Sequence, residues 1–239
     1  MENKYTESYT LKVSDYNRFD LLAPHGVLDI LQDIAGKHSV IYNMAYEDLI
    51  VKNQIWVLLR VKYKVIKNIP LYSRVKVITW PKEKGLVDFD RETQIADLDG
   101  NIIVNAISKW VILDATTKRI IPAKHVDYKF PICEDSLFEK SVDRIKDFPT
   151  EGLSNYKCKV EFCDIDHNGH TNNAKYAMMI MNALSLEENE LIDEFQIDYV
   201  HETYLHDDIT VYHYNDGKTI YVKGVSNDKT IFLSKITLK

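Results

Sequence analysis

Cysteine is scarce in this chain: Cys133, Cys158 and Cys163 are the only three among 239 residues, with no Cys-x-x-Cys pair. That excludes a recognisable disulfide framework or thiolate zinc site and fits a reducing compartment. No apolar run approaches membrane-spanning length, and the opening Met1-Glu-Asn-Lys-Tyr-Thr-Glu-Ser lacks the apolar core of a secretory leader. The expectation is a cytoplasmic protein without a membrane span. Positive charge is not in excess either. The formal net charge of −6 argues against a nucleic-acid partner, which calls for a basic balance or clustered Arg and aromatic side chains. Low-complexity tracts are absent. With 45% hydrophobic and 28% charged residues, the composition is that of an ordinary globular protein, and the length admits one large domain or two small ones.

What is present in excess is a polar run, Asp164-Ile-Asp166-His-Asn168-Gly-His170-Thr-Asn172-Asn173, set directly before an apolar helical pattern. A core absorbs such a run only by pairing every group, and an exposed turn needs one or two of them, so the density points to chemistry. Calcium is the first candidate, since Asp164, Asp166, Asn168 and Gly169 fall where an EF-hand loop places its first, third, fifth and sixth residues. The twelfth place, which requires a bidentate Glu, holds Lys175, and the preceding segment reads as a strand. Zinc fails for want of a second His pair at helical spacing. No metal and no cofactor are expected.

The chain reads as one architecture written twice. In the first half a strand-like Tyr5 to Val13 leads through Asp20 to Gly26 into a helix with Val27, Leu31, Ile34, His38 and Ile41 on one face. Four strands follow, at Trp56 to Val65, Arg74 to Pro81, Val87 to Asp97 and Ile102 to Leu113, with Asp99-Gly100 as a hairpin signal. In the second half Tyr156 to Phe162 leads through the polar run into a helix over Asn173 to Ser185, followed by strands at Asp193 to His201, Asp208 to Tyr214, Thr219 to Ser226 and Thr230 to Leu238. Ile69 to Val77 aligns with Thr203 to Val211 in element order. The predicted organisation is a unit over 1–126, a linker over 127–150 and a second unit over 151–239. A strand, a long helix and an antiparallel meander pack by wrapping the sheet around the helix. The fold class is therefore α+β: two tandem hot-dog domains.

At this point the residues resemble a known family, the acyl-acyl carrier protein thioesterases of plants and bacteria. The run from Asp164 through Asn172-Asn173 to Lys175-Tyr176 resembles the family signature before the second hot-dog helix, and Ile197-Asp-Tyr-Val-His-Glu202-Thr203 is similar to the segment bearing its essential glutamate. The Trp56 strand, Val77-Ile-Thr-Trp80 and Trp110 to Asp114 match in the first half. The resemblance implies hydrolysis of acyl-acyl carrier protein, release of a free fatty acid, and catalytic roles for Asp166, Asn168, His170 and Glu202. It also implies an acyl-chain tunnel in a catalytically silent first half, lined here by Val27, Ile30, Leu31, Ile34, Val57 and Leu59. Where plant members carry a cysteine after the glutamate this chain has Thr203, so a thiol there cannot be universal, and neither Cys158 nor Cys163 aligns with it.

Thioester hydrolysis needs a base for water, a donor for the developing oxyanion and a proton for the departing thiolate. Glu202 or His170 would activate water, Asn168 would orient it or the carbonyl, and Asp166 would position and charge-tune its neighbours; alternatively Asp166 attacks the thioester to form an anhydride. Helix-start amides at Asn172 and Asn173 are candidate oxyanion donors. Plainer uses compete: Asp164 as a turn former, Thr171 or Asn172 as an N-cap, His167 as a loop histidine, Asn173 as fold support. In the silent half, Asn68 stands where Glu202 would be, and the turn before the helix reads Asp20-Leu-Leu-Ala-Pro-His25. Outward Arg60, Lys62, Lys64, Arg74 and Lys76 form a basic sheet face that an acidic carrier protein could use, or simply a solvated surface. The competing readings are an acyl-CoA thioesterase and a noncatalytic acyl-chain binding protein; a hot-dog dehydratase fits the polar run poorly. The state of assembly is either monomer or homodimer.

Overall fold

A computed structural model describes residues 3–239. Its contacts divide the chain into two compact units. The first comprises the described residues up to Val13 together with Ile30–Val142, and the second comprises Ser14–Asp29 with Asp143–Lys239. Chain order and packing therefore differ over Ser14–Asp29, which the sequence reading placed in the 1–126 unit. Within the second unit Arg18 lies 3.7 Å from Glu187, and the Asp29 charge helps push up the Tyr199 phenol, after burial and Tyr176.

The first unit carries five antiparallel strands, β1 (Tyr5–Thr10), β2 (Gln54–Val65), β3 (Arg74–Pro81), β4 (Asp88–Asp97) and β5 (Ile102–Asp114), in the order β1-β3-β4-β5-β2. The second repeats the arrangement with β6 (Ser154–Lys159), β7 (Ile192–Tyr199), β8 (Asp208–Asp216), β9 (Thr219–Ser226) and β10 (Lys229–Leu238), ordered β6-β8-β9-β10-β7. The long helices are α1 (Pro24–Ile41) and α3 (Asn173–Leu184), with a short α2 (Tyr46–Ile50) between α1 and β2. Pro24 opens α1 at the one turn where its missing N–H costs nothing. Val27, Leu28, Ile30, Leu31, Ile34, Ala35 and His38 are buried along that helix, whereas Ile41 at its end is exposed. In the second unit α3 lies against β6 and β8 over a core of Ala177, Ile180, Phe195, Ile197, Val211, Val222 and Phe232. Each unit is thus a hot-dog, an antiparallel sheet with one long helix. Among the described residues no helix is long and apolar enough to cross a membrane.

Three details depart from the sequence reading. The β2 alternation breaks at a bulge, because the register with β5 shifts between Leu58 and Arg60. Arg91 Nη1 lies 2.9 Å from His38 Nδ1, so the face carrying Phe89 and Arg91 looks toward α1. Leu58 opposes Trp110, which opposes Phe89, while Val57 opposes Val111. Directly opposed residues occupy one face, and one extra residue flips the phase. Leu58 therefore takes the helix-facing place; Val57 is half-buried on the other face and Leu59 is half-buried in the bulge, which removes Val57 from the expected tunnel lining.

The expected basic docking face is covered at Arg60 and Lys62, whereas Lys64, Arg74 and Lys76 are exposed. Arg60 Nη1 donates to Val142 O at 3.4 Å, Lys62 Nζ lies 5.7 Å from the Phe138 ring, Trp80 Nε1 donates to Asp135 O at 3.0 Å and Leu137 N to Glu92 at 3.0 Å. The linker continues in the second unit, where Ile145 N donates to Asp198 at 2.9 Å and Lys223 pairs with Asp147 at 2.7 Å. Finally, β6 ends at Lys159 rather than Phe162, because Glu161 N is capped by Asp164 Oδ2 at 2.9 Å and the chain turns there.

Candidate active site

The polar run folds as a tight loop before α3. A 3-10 turn over Phe162–Asp164 is followed by an antiparallel bridge between Ile165 and Thr171. Asp166 N donates to His170 O at 2.9 Å and Gly169 N to Asp166 O at 3.0 Å. The Asp166 carboxylate works inside this loop: Oδ1 accepts from Asn168 N at 2.8 Å and from His170 N at 3.4 Å. Gly169 sits at φ +83°, a conformation that suits a residue without a Cβ.

Across from it runs the loop between β7 and β8. Val200 and His201 donate to Ile231 O at 2.8 and 3.1 Å, and Asp207 N to Tyr204 O at 3.0 Å, while Tyr204 N donates to Asp207 Oδ2 at 2.8 Å. The two loops bring His170 Nε2 within 3.2 Å of Glu202 Oε2. Tyr204 OH donates to the same Oε2 at 3.3 Å, and its ring meets the His170 imidazole edge-on with centroids 5.3 Å apart. Burial, then the Glu202 charge, pushes the Tyr204 phenol above its ordinary value, which keeps it a donor to that carboxylate.

Of the four residues carried by the resemblance, His170 and Glu202 are in contact. Asp166 holds the loop with one carboxylate oxygen, and Asn168 is exposed, its side chain making no hydrogen bond among the described residues. Asn172 is not placed for an oxyanion. Its N–H donates to Asp164 O at 2.8 Å and its side chain accepts from Ala174 N at 2.8 Å as the N-cap of α3. Asn173 O accepts from Tyr199 OH at 3.3 Å. Replacing Asn172 by Ala is expected to cost about 1 kcal/mol of stability, read as a lowered thermal midpoint; an unmoved midpoint would contradict the capping role. All three cysteines are free thiols, and burial together with Asp164 pushes Cys158 up to about 11, which suits a packed thiol rather than a nucleophile.

Sequence reasoning missed two things. The first is the buried residue after Glu202: Thr203 Oγ1 meets Thr171 Oγ1 at 2.7 Å and Tyr176 OH at 2.9 Å. The second is the depth of the repeat. Asn17 N donates to Leu21 O at 2.9 Å, Asp20 N to Asn17 O at 3.1 Å and Ala23 N to Asp15 O at 2.8 Å, while Asn17 Oδ1 accepts from Phe19 N at 2.9 Å and Leu21 N at 3.1 Å. This is the Asp164–Asn172 pattern bond for bond, with Asp20 at φ +55° in the place of Gly169. The counterparts of Asp166, Asn168 and His170 are therefore Asn17, Phe19 and Leu21, which corrects the expected match at Asp20 to His25. Likewise Ile66 and Lys67 donate to Ile103 O at 2.8 and 3.3 Å, as Val200 and His201 do to Ile231, and this keeps Asn68 as the counterpart of Glu202. Asn68 lines a pocket of about 240 Å³ with Lys67, Ser73 and Arg74. The first copy has the loop skeleton and none of the His–Glu chemistry.

Comparison with known proteins identifies the family. The family described as "Acyl-ACP thioesterase N-terminal domain" matches residues 2–126, and "Acyl-ACP thioesterase C-terminal domain" matches residues 149–239. The chain belongs to the acyl-ACP thioesterase family. Among curated members, the palmitoyl-acyl carrier protein thioesterase of Arabidopsis thaliana is 27% identical over 165 residues, 63% of this chain and 39% of that protein. The chain spans well under half the length of the curated acyl-ACP thioesterases it matches, for which the covered share is 34–44%. Among solved structures, an acyl-ACP thioesterase from Bacteroides thetaiotaomicron superposes with a TM-score of 0.90 at 23% identity, covering 99% of this chain and 98% of its own. The 12:0-ACP thioesterase from Umbellularia californica gives 0.89 at 14% identity, covering 100% and 98%. At these identities the two structures speak for the fold.

Proposed function

We propose that this acyl-ACP thioesterase family member hydrolyses the thioester of acyl-acyl carrier protein, releasing a free fatty acid and so ending chain elongation. The observation that carries the reading is the His170–Glu202 contact at 3.2 Å, on the loop pair whose first-half copy lacks both side chains. Glu202 takes two donors on Oε2; Oε1 is left to accept a proton from water. The water oxygen bonds to the thioester carbonyl carbon, the C–S bond breaks, and its electron pair leaves on the pantetheine sulfur. The proton taken from water returns to that sulfur, so one acyl thioester and one water give one carboxylic acid and one thiol. In this reading His170, donating from Nε2, holds Glu202 in place, and exposed Asn168 is assigned the orienting of the water or the incoming carbonyl. Asp166, which accepts from His170 N–H, is assigned to position and charge-tune its neighbours. A route in which Asp166 attacks instead, forming an anhydride, uses the same residues and is separated by isotope labelling: ¹⁸O from solvent water would then also enter Asp166.

The acyl chain is assigned to the first half, with Val27, Ile30, Leu31 and Ile34 on α1 as lining residues; their burial supports this. The acyl-binding role is assigned to residues 1–126 and the catalytic role to 151–239, joined by 127–150; in the packing, Ser14–Asp29 groups with the catalytic residues. A cytoplasmic location is part of the reading, supported by the free thiols.

The carrier is tested by presenting one acyl chain on acyl carrier protein and on coenzyme A. A higher kcat/KM on the carrier protein is expected; a preference for coenzyme A would make the chain an acyl-CoA thioesterase. Stoichiometric binding of acyl-carrier protein without release of acid would make it an acyl-chain binding protein.

A further inference from the structure

We propose that the buried hydroxyls of Thr171, Thr203 and Tyr176 form a clamp that sets the separation of His170 and Glu202, which makes Thr203 a positioning residue for the hydrolysis; this rests on the hydrolase reading above. Thr171 follows His170 directly and Thr203 follows Glu202, so a bond between the two threonines ties the catalytic neighbours together at one remove. The tie is multiple. Thr171 N donates to Thr203 O at 2.9 Å, Thr171 Oγ1 meets Thr203 O at 3.2 Å and Thr203 Oγ1 at 2.7 Å, and Tyr176 OH meets Thr203 Oγ1 at 2.9 Å while accepting from Thr203 N at 3.2 Å. The three residues are 4, 1 and 3% exposed.

Two arguments separate a clamp from ordinary packing. The first compares the copies. By the loop correspondence established above, Thr171, Tyr176 and Thr203 match Leu22, Val27 and Ile69, all buried. The same loop skeleton is thus built with apolar side chains where no His–Glu pair is present, so the fold itself does not require the hydroxyls. Apolar contact is non-directional, whereas hydrogen bonds fix distance and angle. The second concerns the pair they flank. The His170 and Glu202 side chains are 27 and 49% exposed, and a polar contact this open to water contributes too little to hold its own geometry. Its alignment has to come from rigid neighbours, and the buried hydroxyl cluster is adjacent to both. Thr203 is itself no nucleophile, being enclosed and engaged on both sides of its oxygen.

The test compares Thr203→Val, which keeps shape and removes the hydroxyl, with Thr203→Ser, which restores it. Thr203→Val is expected to lower kcat about 10- to 30-fold with KM within about twofold, while Thr203→Ser stays within about threefold of the parent. The decisive readout is non-additivity. In a Glu202→Gln background, Thr203→Val should change the residual rate by less than about twofold, because the alignment it disturbs no longer serves a base. A wild-type kcat for Thr203→Val, or an equal loss in both backgrounds, overturns the clamp. Should Thr203→Val melt below assay temperature, Tyr176→Phe removes one hydroxyl and keeps the ring; it should lower kcat about 3- to 10-fold with the same non-additivity, and an additive loss overturns the clamp there too. The hydrolase reading fails separately, if the unaltered chain releases no acid or Glu202→Gln retains full turnover.

Discussion

Glu202→Gln is expected to lower kcat on acyl-acyl carrier protein about 10³-fold, within the range by which a positioned general base contributes. The amide keeps the shape of the side chain and can still accept from Tyr204 at the position of Oε2, so what is removed is the capacity to take a proton. The side chain is 49% exposed and holds no part of the core, so the thermal midpoint should move by no more than about 2 °C, the scale of a few tenths of a kcal/mol at the surface. Binding of the acylated carrier should stay within about threefold, since the proposed acyl-lining residues lie on α1. Turnover within about tenfold of the parent would remove Glu202 from the role of base.

Asp166→Asn should cost at least about 10²-fold in kcat with an unchanged melting curve. This substitution ordinarily confuses two effects, because Asp166 Oδ1 also closes the loop by accepting from Asn168 and His170 N–H groups. The first copy resolves them: Asn17 closes the identical loop through its amide oxygen. Asparagine is therefore a competent loop former at this position, and a lost rate reports the missing charge rather than a broken turn. Asp166→Ala should add a fall in the thermal midpoint, since it removes the oxygen that accepts from both N–H groups. Full activity in Asp166→Asn would make Asp166 a scaffold residue only.

Much of the architecture was legible because its signals are local. Period-two strands, the polar run before α3 and the glycine turns mark each element, and Ile69–Val77 against Thr203–Val211 is the alignment that the backbone hydrogen bonds around both loops reproduce. Most of the misses are non-local or phase errors. A one-residue bulge at Leu59 reversed the facing of Val57, which no alternation count can see. The linker residues Asp135, Leu137, Phe138 and Val142 cover basic strand residues that read as free, because a covering segment is defined by tertiary contact alone. Asn17, Phe19 and Leu21 were not recognised as the counterparts of Asp166, Asn168 and His170, since only backbone geometry is common to the two loops. The hydroxyl cluster joins Thr171 to Thr203 across 32 positions, a spacing that carries no pattern. Asn172, offered for an oxyanion, is consumed by capping its own helix.

The central claim is that hydrolysis is confined to the His170–Glu202 loop pair of the second copy. The most direct measurement follows free acid and free thiol from one acyl-acyl carrier protein, in parallel with the binding of that carrier, for the unaltered chain and for the His170→Gln, Glu202→Gln double variant. The account predicts equal amounts of acid and thiol from the unaltered chain, and carrier binding within about threefold but turnover lowered at least about 10³-fold in the variant. Undiminished acid release by the double variant would contradict it.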